Sequence, residues 1–440
     1  MNVHSRPGEG MPGERPLGQT QSLLRFVACG SVDHGKSTLL GRLLYESKQL
    51  FADQLEALAV DSRKYGTQGE ELDYSLLLDG LAAEREQNIT IDVAYRFFST
   101  PRRKFIVIDT PGHEQYSANM ATGASVADLS LVLVSANEGL TRQTRRHIAI
   151  VGMLGIKDVV LVVNKMDRAG WRQDAFRPLA AEFGEVAADS GIGNVVAIPA
   201  AAKSGDNIAS YSPHMPWYRG PTLLDHLEHV VPARAGVRGP LRVPIQLVNR
   251  PDEGFRGYSG LITSGAVEVG MPVKILPSGG TSRIERIVTY DGDLLRAEAG
   301  QSVTLTFADQ IDASRGDVIA DATRAPAVTR RIGARVFWMN QRPLQPGQGY
   351  LIKLATRTVT ATADADLTVI DLDQRRTVSA PAIAPNEIGT CTLAFDRPVA
   401  VDRYGECKDT GSFILIDPES FDTVGMGCIE RIGPPSPRRR

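Results

Sequence analysis

The sequence predicts an α/β domain built on a parallel sheet, followed by two antiparallel β domains. Three observations carry that expectation. Short apolar runs alternate with longer helical patterns from Leu23 to about Val231, a Pro-, Gly- and Arg-rich stretch from Pro232 to Pro240 breaks the pattern, and from Leu241 to Ile429 many short β-branched runs are punctuated by Gly and Pro. A chain of 440 residues is long enough for about three such domains.

Residues 1–21 are expected to be a flexible tail, because the first twenty carry four Gly and three Pro with almost no apolar periodicity. The strands of the first domain (22–236) are expected at the apolar runs 25–29, 105–108, 129–134, 159–163 and 195–198. Strands separated by helices imply a parallel sheet covered on both faces. The runs at 243–248, 260–265 and 412–417 typify the second half. About 190 residues exceed one small barrel, so a seam is expected near Thr329-Arg330-Arg331, giving barrels at 237–329 and 330–432 and a flexible end at 433–440.

Charge and composition exclude several roles. Lys plus Arg number 49 against 51 Asp plus Glu, a formal net charge of −2, which argues against a coat for nucleic acid or an anionic membrane. The most apolar run, 129–134, is preceded by Asp128 and followed by Asn137 and Glu138, and so reads as a buried strand rather than a membrane span. No basic segment leads into an apolar core near the N-terminus, so the expected location is cytoplasmic. Cys29, Cys391, Cys407 and Cys428 form no C-x-x-C pair and are expected to be buried free thiols.

Three motifs carry chemistry. Gly30-Ser31-Val32-Asp33-His34-Gly35-Lys36-Ser37 fits G-x-x-x-x-G-K-[ST] between an apolar run and a helical segment opening at Thr38. Glycines let the backbone wrap phosphates with successive N–H groups facing the anion, Lys36 neutralises the outer phosphates, and Ser37 offers a hydroxyl to Mg²⁺. Asp109-Thr110-Pro111-Gly112-His113 ends a strand, where a carboxylate suits the water shell of Mg²⁺ and the Gly112 N–H suits a γ-phosphate. In isolation an Asp-x-Pro-Gly stretch is a plain turn; its position behind a phosphate loop makes it a nucleotide element. Asn164-Lys165-Met166-Asp167 ends another strand. An Asp carboxylate there accepts from N1–H and the 2-amino group of guanine, a pattern adenine does not offer, so the expected cofactors are GTP and Mg²⁺. Thr90, between the first two motifs, is expected to be a switch hydroxyl that meets Mg²⁺ and the γ-phosphate only in the GTP state.

These residues resemble the translation-factor GTPase superfamily, and within it the family of large GTP-binding subunits of the bacterial two-subunit sulfate adenylyltransferase. The landmarks are the 30–37 loop, the 79–87 and 89–98 blocks flanking the switch, 109–120, 164–167, Gly205-Asp206-Asn207, Met215-Pro216-Trp217-Tyr218, Arg315-Gly316-Asp317-Val318 and Asn386-Glu387-Ile388-Gly389, together spanning roughly 22–430. The switch-flanking and Trp217 blocks distinguish this family from elongation factors. The resemblance implies an α/β P-loop GTPase domain followed by two antiparallel β-barrels, arranged as in elongation factor Tu. It implies GTP hydrolysis in this chain while a separate small catalytic subunit joins ATP and sulfate into adenosine 5′-phosphosulfate and pyrophosphate. The expected assembly is a heterodimer or larger, with no nucleic acid and no membrane.

By motif matching, His113 would position the attacking water, with Val32 and Ile89 as apolar neighbours limiting its approach. Ala201, Ala202 and Lys203 stand on the guanine side in place of the usual Ser-Ala-Leu or Ser-Ala-Lys, and Asn88 stands where the family usually has Gly. No second phosphate loop follows residue 430, so a fused kinase of the kind known in relatives is not expected. The tripeptide Arg315-Gly316-Asp317 is expected to be a turn between strands. The rival function is a translation-factor-type GTPase delivering aminoacyl-tRNA to the ribosome, and a third is a GTPase that only scaffolds its partner.

Overall fold

The computed structural model describes residues 22–47, 52–65, 72–77, 90–232, 239–252 and 254–433. The 79–87 block, Asn88 and Ile89 lie outside the described residues, as do the expected tails at 1–21 and 433–440 apart from Gly433, and most of the 232–240 stretch. No helix among the described residues is long and apolar enough to cross a membrane.

The first unit runs β1 (Ser22–Gly30), α1 (Lys36–Glu46), α2 (Ala52–Tyr65), β2 (Ala94–Ser99), β3 (Arg103–Asp109), α3 (Ser117–Ser125), β4 (Leu129–Ser135), α4 (Arg142–Met153), β5 (Asp158–Asn164), α5 (Gln173–Asp189), β6 (Asn194–Pro199) and α6 (Leu223–His229). The sheet order is β2-β3-β1-β4-β5-β6. All neighbours are parallel except β2, which lies antiparallel on β3 at the edge. Every residue of β4 and β5 is buried, which is why both read as continuous apolar runs. Successive side chains point to opposite faces: Leu131 and Leu133 pack with Leu39, Leu40 and Leu43 of α1, while Val132 and Val134 pack with Ile148, Val151 and Phe183 of α4 and α5. Because the strands are parallel, β1, β3, β5 and β6 all end on one edge, at Gly30, Asp109, Asn164 and Pro199.

Between Arg242 and Asp321 the chain forms an eight-stranded antiparallel sheet and a two-stranded ribbon of Ala266–Glu268 with Arg296–Glu298. The sheet curls back on itself, with Arg242 N–H donating to Ser264 O at 3.0 Å and Gln246 N–H to Ser259 O at 2.9 Å, around Val243, Ile275, Leu305 and Ile319. The run expected at 243–248 is two short strands, Arg242–Pro244 and Leu247–Asn249, because the first pairs with Val318–Ala320 and the second with Gly257–Ser259. In the last unit, Ala327–Trp338, Thr423–Ile432, Ser412–Ile416, Gly349–Leu354, Arg357–Ala363 and Ile388–Val401 pair in that order and the sixth pairs again with the first, closing a six-stranded antiparallel barrel. Its core is Trp338, Tyr350, Ile352, Leu393 and Leu415. The Ala327–Trp338 strand starts ahead of the expected seam and bulges between Thr329 and Arg331, so the passage between the barrels lies just before Ala327.

The two barrels are joined by a buried bidentate pair, Arg242 to Asp402 at 2.7 and 2.9 Å, and by Arg357 to Asp317 at 3.0 Å. The Arg315-Gly316-Asp317 tripeptide is a tight turn, with Gly316 at φ 98° and Asp317 accepting from Ser314 N–H. The closed barrel meets the first unit at the turn after α4, where Tyr404 Oη–H and Lys408 Nζ donate to Leu154 O at 2.8 and 3.3 Å. It meets it again where Arg375 pairs with Glu185 and Asp189 of α5. All four cysteines are buried free thiols.

Candidate functional site

The 30–37 loop is wrapped as its sequence requires. Asp33 and Gly35 both take left-handed conformations, φ 62° and 87°, and Lys36 opens α1 directly behind them. A Cβ on Gly35 would stand 2.5 Å from Asn164 Nδ2, so this glycine serves both its backbone angle and a close approach. The Gly30 N–H donates to Nδ1 of His147 on α4 at 3.2 Å, and Thr141 Oγ1 at the start of α4 reaches Ser31 Oγ at 3.3 Å. Burial first, and the nearby charges of Lys36 and Arg146 second, push His147 down to about 3, so it stays a neutral acceptor under the loop.

Lys36 is buried, and its Nζ curls over the loop to donate to Gly30 O and Ser31 O, each at 3.0 Å. Burial lowers its pKa, and the carboxylates of Asp109 and Asp33 work against that fall. The buried His34 faces away from the loop: its Nδ1–H donates to Leu133 O at 3.0 Å, Nε2 lies 3.5 Å from Glu138, and burial lowers its pKa. Ser37 and Thr38 are half-buried on the first turn of α1.

Asp109 is buried at the end of β3, near enough to raise the pKa of Lys36. The Thr110 hydroxyl points back to Ala28 O at 2.7 Å, which pins the Asp109-Thr110-Pro111-Gly112 turn to β1. A Cβ on Gly112 would stand 2.3 Å from Lys36 Nζ and 2.8 Å from Gly30 O, so only glycine lets this turn lie against the loop. His113 is half-exposed and caps the short turn Glu114–Tyr116, with its Nδ1 accepting from Gln115 N–H at 3.3 Å. With Nδ1 as acceptor, the neutral ring carries its proton on Nε2. Thr90 is half-buried, four residues ahead of β2.

Asn164 joins the 30–37 loop to the 200–205 loop. Its Nδ2 donates to His34 O and its Oδ1 accepts from Ala202 N–H, both at 2.9 Å and both buried. Met166 is buried, its N–H donating to Ala200 O at 3.1 Å, and Lys165 has φ 61°. The turn brings Asp167 and Lys203 to one cavity of about 410 Å³, lined also by Leu72, Tyr74, Trp171 and Ser204. Ala201 and Ala202 are buried, with Gly205 N–H donating to Ala201 O at 2.8 Å. Behind them the Trp217 indole N–H holds Trp171 O at 2.9 Å, and Asn207 Nδ2 holds Pro199 O at 2.9 Å. The family landmarks at 205–207 and 215–218 thus buttress this cavity from outside.

Residues 21–233 match the elongation factor Tu GTP binding domain family, and residues 331–430 the GTP-eEF1A C-terminal domain-like family. The chain is 53% identical over 415 residues to sulfate adenylyltransferase subunit 1 of Methylorubrum extorquens (strain PA1), covering 94% of this chain and 88% of that one. The chain belongs to the sulfate adenylyltransferase subunit 1 family. The subunit 1 of Aeromonas hydrophila subsp. hydrophila is 51% identical over 411 residues, 93% of this chain and 86% of that one. The bifunctional enzyme CysN/CysC of Xylella fastidiosa (strain Temecula1 / ATCC 700964) is 51% identical over 412 residues, which cover 94% of this chain and 66% of that protein.

For this member of the subunit 1 family, the structure brings the 30–38 loop, Asp109 to His113, the 164–167 turn and 201–203 to one edge of the sheet. Several neighbours at that edge carried no motif in the sequence: His147 on α4 and Thr141 at its N-cap, and Leu72, Tyr74 and Trp171 at the cavity with Asp167 and Lys203. The His at 147 sits inside an amphipathic helix, where spacing alone does not tell a ligand-loop contact from a core side chain.

Proposed function

We propose that this chain binds Mg²⁺·GTP at the strand-end site and that its hydrolysis drives synthesis of adenosine 5′-phosphosulfate and pyrophosphate from ATP and sulfate on a separate small subunit. The carrying observation is the convergence of Lys36, Gly112 and Asp167 with Lys203 on one edge of the sheet in a chain of the subunit 1 family. The residues fit the nucleotide: the loop is backbone and glycine where phosphate would approach, and Lys36 stands over it. For Mg²⁺, which takes few protein ligands beside phosphate oxygens and water, Ser37, Thr90 and Asp109 would supply the protein oxygens. Mg²⁺, when bound, neutralises charge on the β- and γ-oxygens.

Within this reading each residue has a stated task. Loop N–H groups of 31–36 and Lys36 Nζ hold the phosphates, with Gly112 N–H beside them. Asp167 accepts from the guanine edge, and Ala201, Ala202 and Lys203 close that side. His113, its Nδ1 held by Gln115 N–H, would use Nε2 to orient the attacking water at the γ-phosphate. A phosphate–sulfate anhydride is unfavourable to form against pyrophosphate, so cleavage of a second anhydride supplies drive only if it is felt elsewhere. Helix α4 suits that requirement: it touches the phosphate loop through His147 and leads to the Leu154 turn on which Tyr404 and Lys408 of the closed barrel rest. Four buried free thiols suit a reducing cytoplasm.

The test is His113→Ala in the complex co-purified with its small subunit. GTP hydrolysis is expected to fall by about 100-fold or more, and GTP-dependent pyrophosphate release with it, while GDP affinity and assembly stay unchanged. Full sulfate activation by this variant would leave the chain a scaffold. Hydrolysis stimulated by ribosomes rather than by the small subunit with ATP and sulfate would favour the translation role.

A further inference from the structure

One wall of the base cavity comes from none of the nucleotide motifs. Leu72 and Tyr74 line it opposite the 164–171 turn and the 201–205 loop. Both belong to a short stretch ending in the turn Tyr74–Leu77, which lies against α1. A Cβ on Gly41 would stand 1.9 Å from Tyr74 O, so α1 and this stretch touch only because residue 41 is glycine. Asp73, itself buried, accepts from Ser75 N–H at 3.2 Å, and its own N–H donates to Ser62 Oγ on α2 at 2.9 Å. The wall is therefore fixed to two helices.

Arg42 connects the wall to the rest of the site. Its Nη1 donates to Lys203 O at 3.1 Å and to Tyr74 Oη at 3.4 Å, and its guanidinium carbon lies 5.0 Å from the Tyr74 ring centroid and 5.7 Å from that of Tyr45. Glu46, one turn on, holds it from behind at 2.7 Å. A Cβ on Gly205 would stand 2.4 Å from Arg42 Nη2, so the guanidinium lies flat on the turn that closes the guanine side. A single cation, rooted on the helix that begins at the phosphate loop, thus holds both the 201–205 loop and the Tyr74 ring.

We infer that Leu72 and Tyr74 form a retaining wall of the guanosine site and that Arg42 is the positioning residue that keeps this wall against the 201–205 loop, so that together they set how long the nucleotide stays bound. The inference rests on the reading that guanosine occupies this cavity. An apolar and aromatic wall removes ligand surface from water without reading hydrogen-bond patterns, so it governs release and leaves base choice to Asp167. It lies on the base side, away from Lys36 and Asp109, so GDP and GTP are retained alike.

The experiment follows release of tritiated GDP and GTP from the full chain with Mg²⁺ by filter binding. Tyr74→Ala and Leu72→Ala are expected to release both nucleotides about tenfold faster, with association within about twofold of the parent and preference for GDP over ADP unchanged. Tyr74→Phe keeps the ring beneath Arg42 and should restore slow release. Arg42→Ala should match Tyr74→Ala, and the double variant should be no faster than the faster single one, as expected if Arg42 acts through Tyr74. Release within about twofold of the parent in both alanine variants overturns the inference, as does a shift in GDP over ADP preference in place of faster release. Leu72→Ala, at a half-buried position, decides the matter if Tyr74→Ala fails to fold. A parent chain that binds no GDP refutes the reading of the site itself, an outcome distinct from normal binding with unaltered release.

Discussion

Replacing Asn164 by alanine removes, in one step, the link between the 30–37 loop and the 200–205 loop, the proposed phosphate and guanine sides. Two buried hydrogen bonds are lost, Nδ2–H to His34 O and Ala202 N–H to Oδ1, each 2.9 Å long. A typical intramolecular hydrogen bond contributes about 1 kcal/mol net, so the pair is worth about 2 kcal/mol. If the freed loops must be re-ordered when nucleotide binds, that energy is drawn from binding, and about 2 kcal/mol corresponds to a Kd about 30-fold weaker. Gly35 faces the same amide, so the backbone angle of the loop loses its lateral support as well. Titration calorimetry with Mg²⁺·GDP measures the change, and a parallel thermal melt separates it from loss of fold. Asn164→Asp keeps the acceptor for Ala202 and sets a carboxylate against the His34 carbonyl, so it should not recover affinity. A Kd for Asn164→Ala within about twofold of the parent, in a chain that melts normally, would refute the idea that this side chain couples the two halves of the site.

The remaining predictions concern stability. His147 is neutral in the fold with its pKa pushed down to about 3, whereas an exposed imidazole titrates near 6.5. Below that pH the unfolded chain takes up a proton that the fold refuses, so stability is full above about pH 6.5 and drains as pH falls toward 3, by about 2 kcal/mol at pH 5. Denaturation curves at pH 7.5 and 5 should show a shallower loss for His147→Asn, and an identical loss would exclude His147 as its source. Arg242 and Asp402 are both nearly fully buried and Thr410 Oγ–H adds a bond to the same carboxylate at 2.6 Å. Arg242→Ala should therefore cost about 3–5 kcal/mol and lower the calorimetric transition of the barrels, while Arg242→Met with Asp402→Leu recovers most of it. An unshifted transition in the single variant would show the pair to be dispensable.

The sequence by itself determined five of the six strands of the first sheet, β2 (Ala94–Ser99) excepted, and the turns that end them, because both are local. Apolar runs such as 129–134 and 159–163 are continuous since helices cover both faces of β4 and β5, and the phosphate loop, Asp109 to Gly112 and Asn164 to Asp167 each encode a turn whose geometry is set within a few residues. Only the folded chain decided the contacts between those turns. Asn164 spans 130 residues to reach His34, His147 spans 117 to reach Gly30, and Arg42 spans 161 to reach Lys203. The barrel pair Arg242 and Asp402, 160 residues apart, is likewise silent in the sequence. Periodicity reports which face a side chain takes relative to its own element, and carries no information on which distant backbone atom will meet it there.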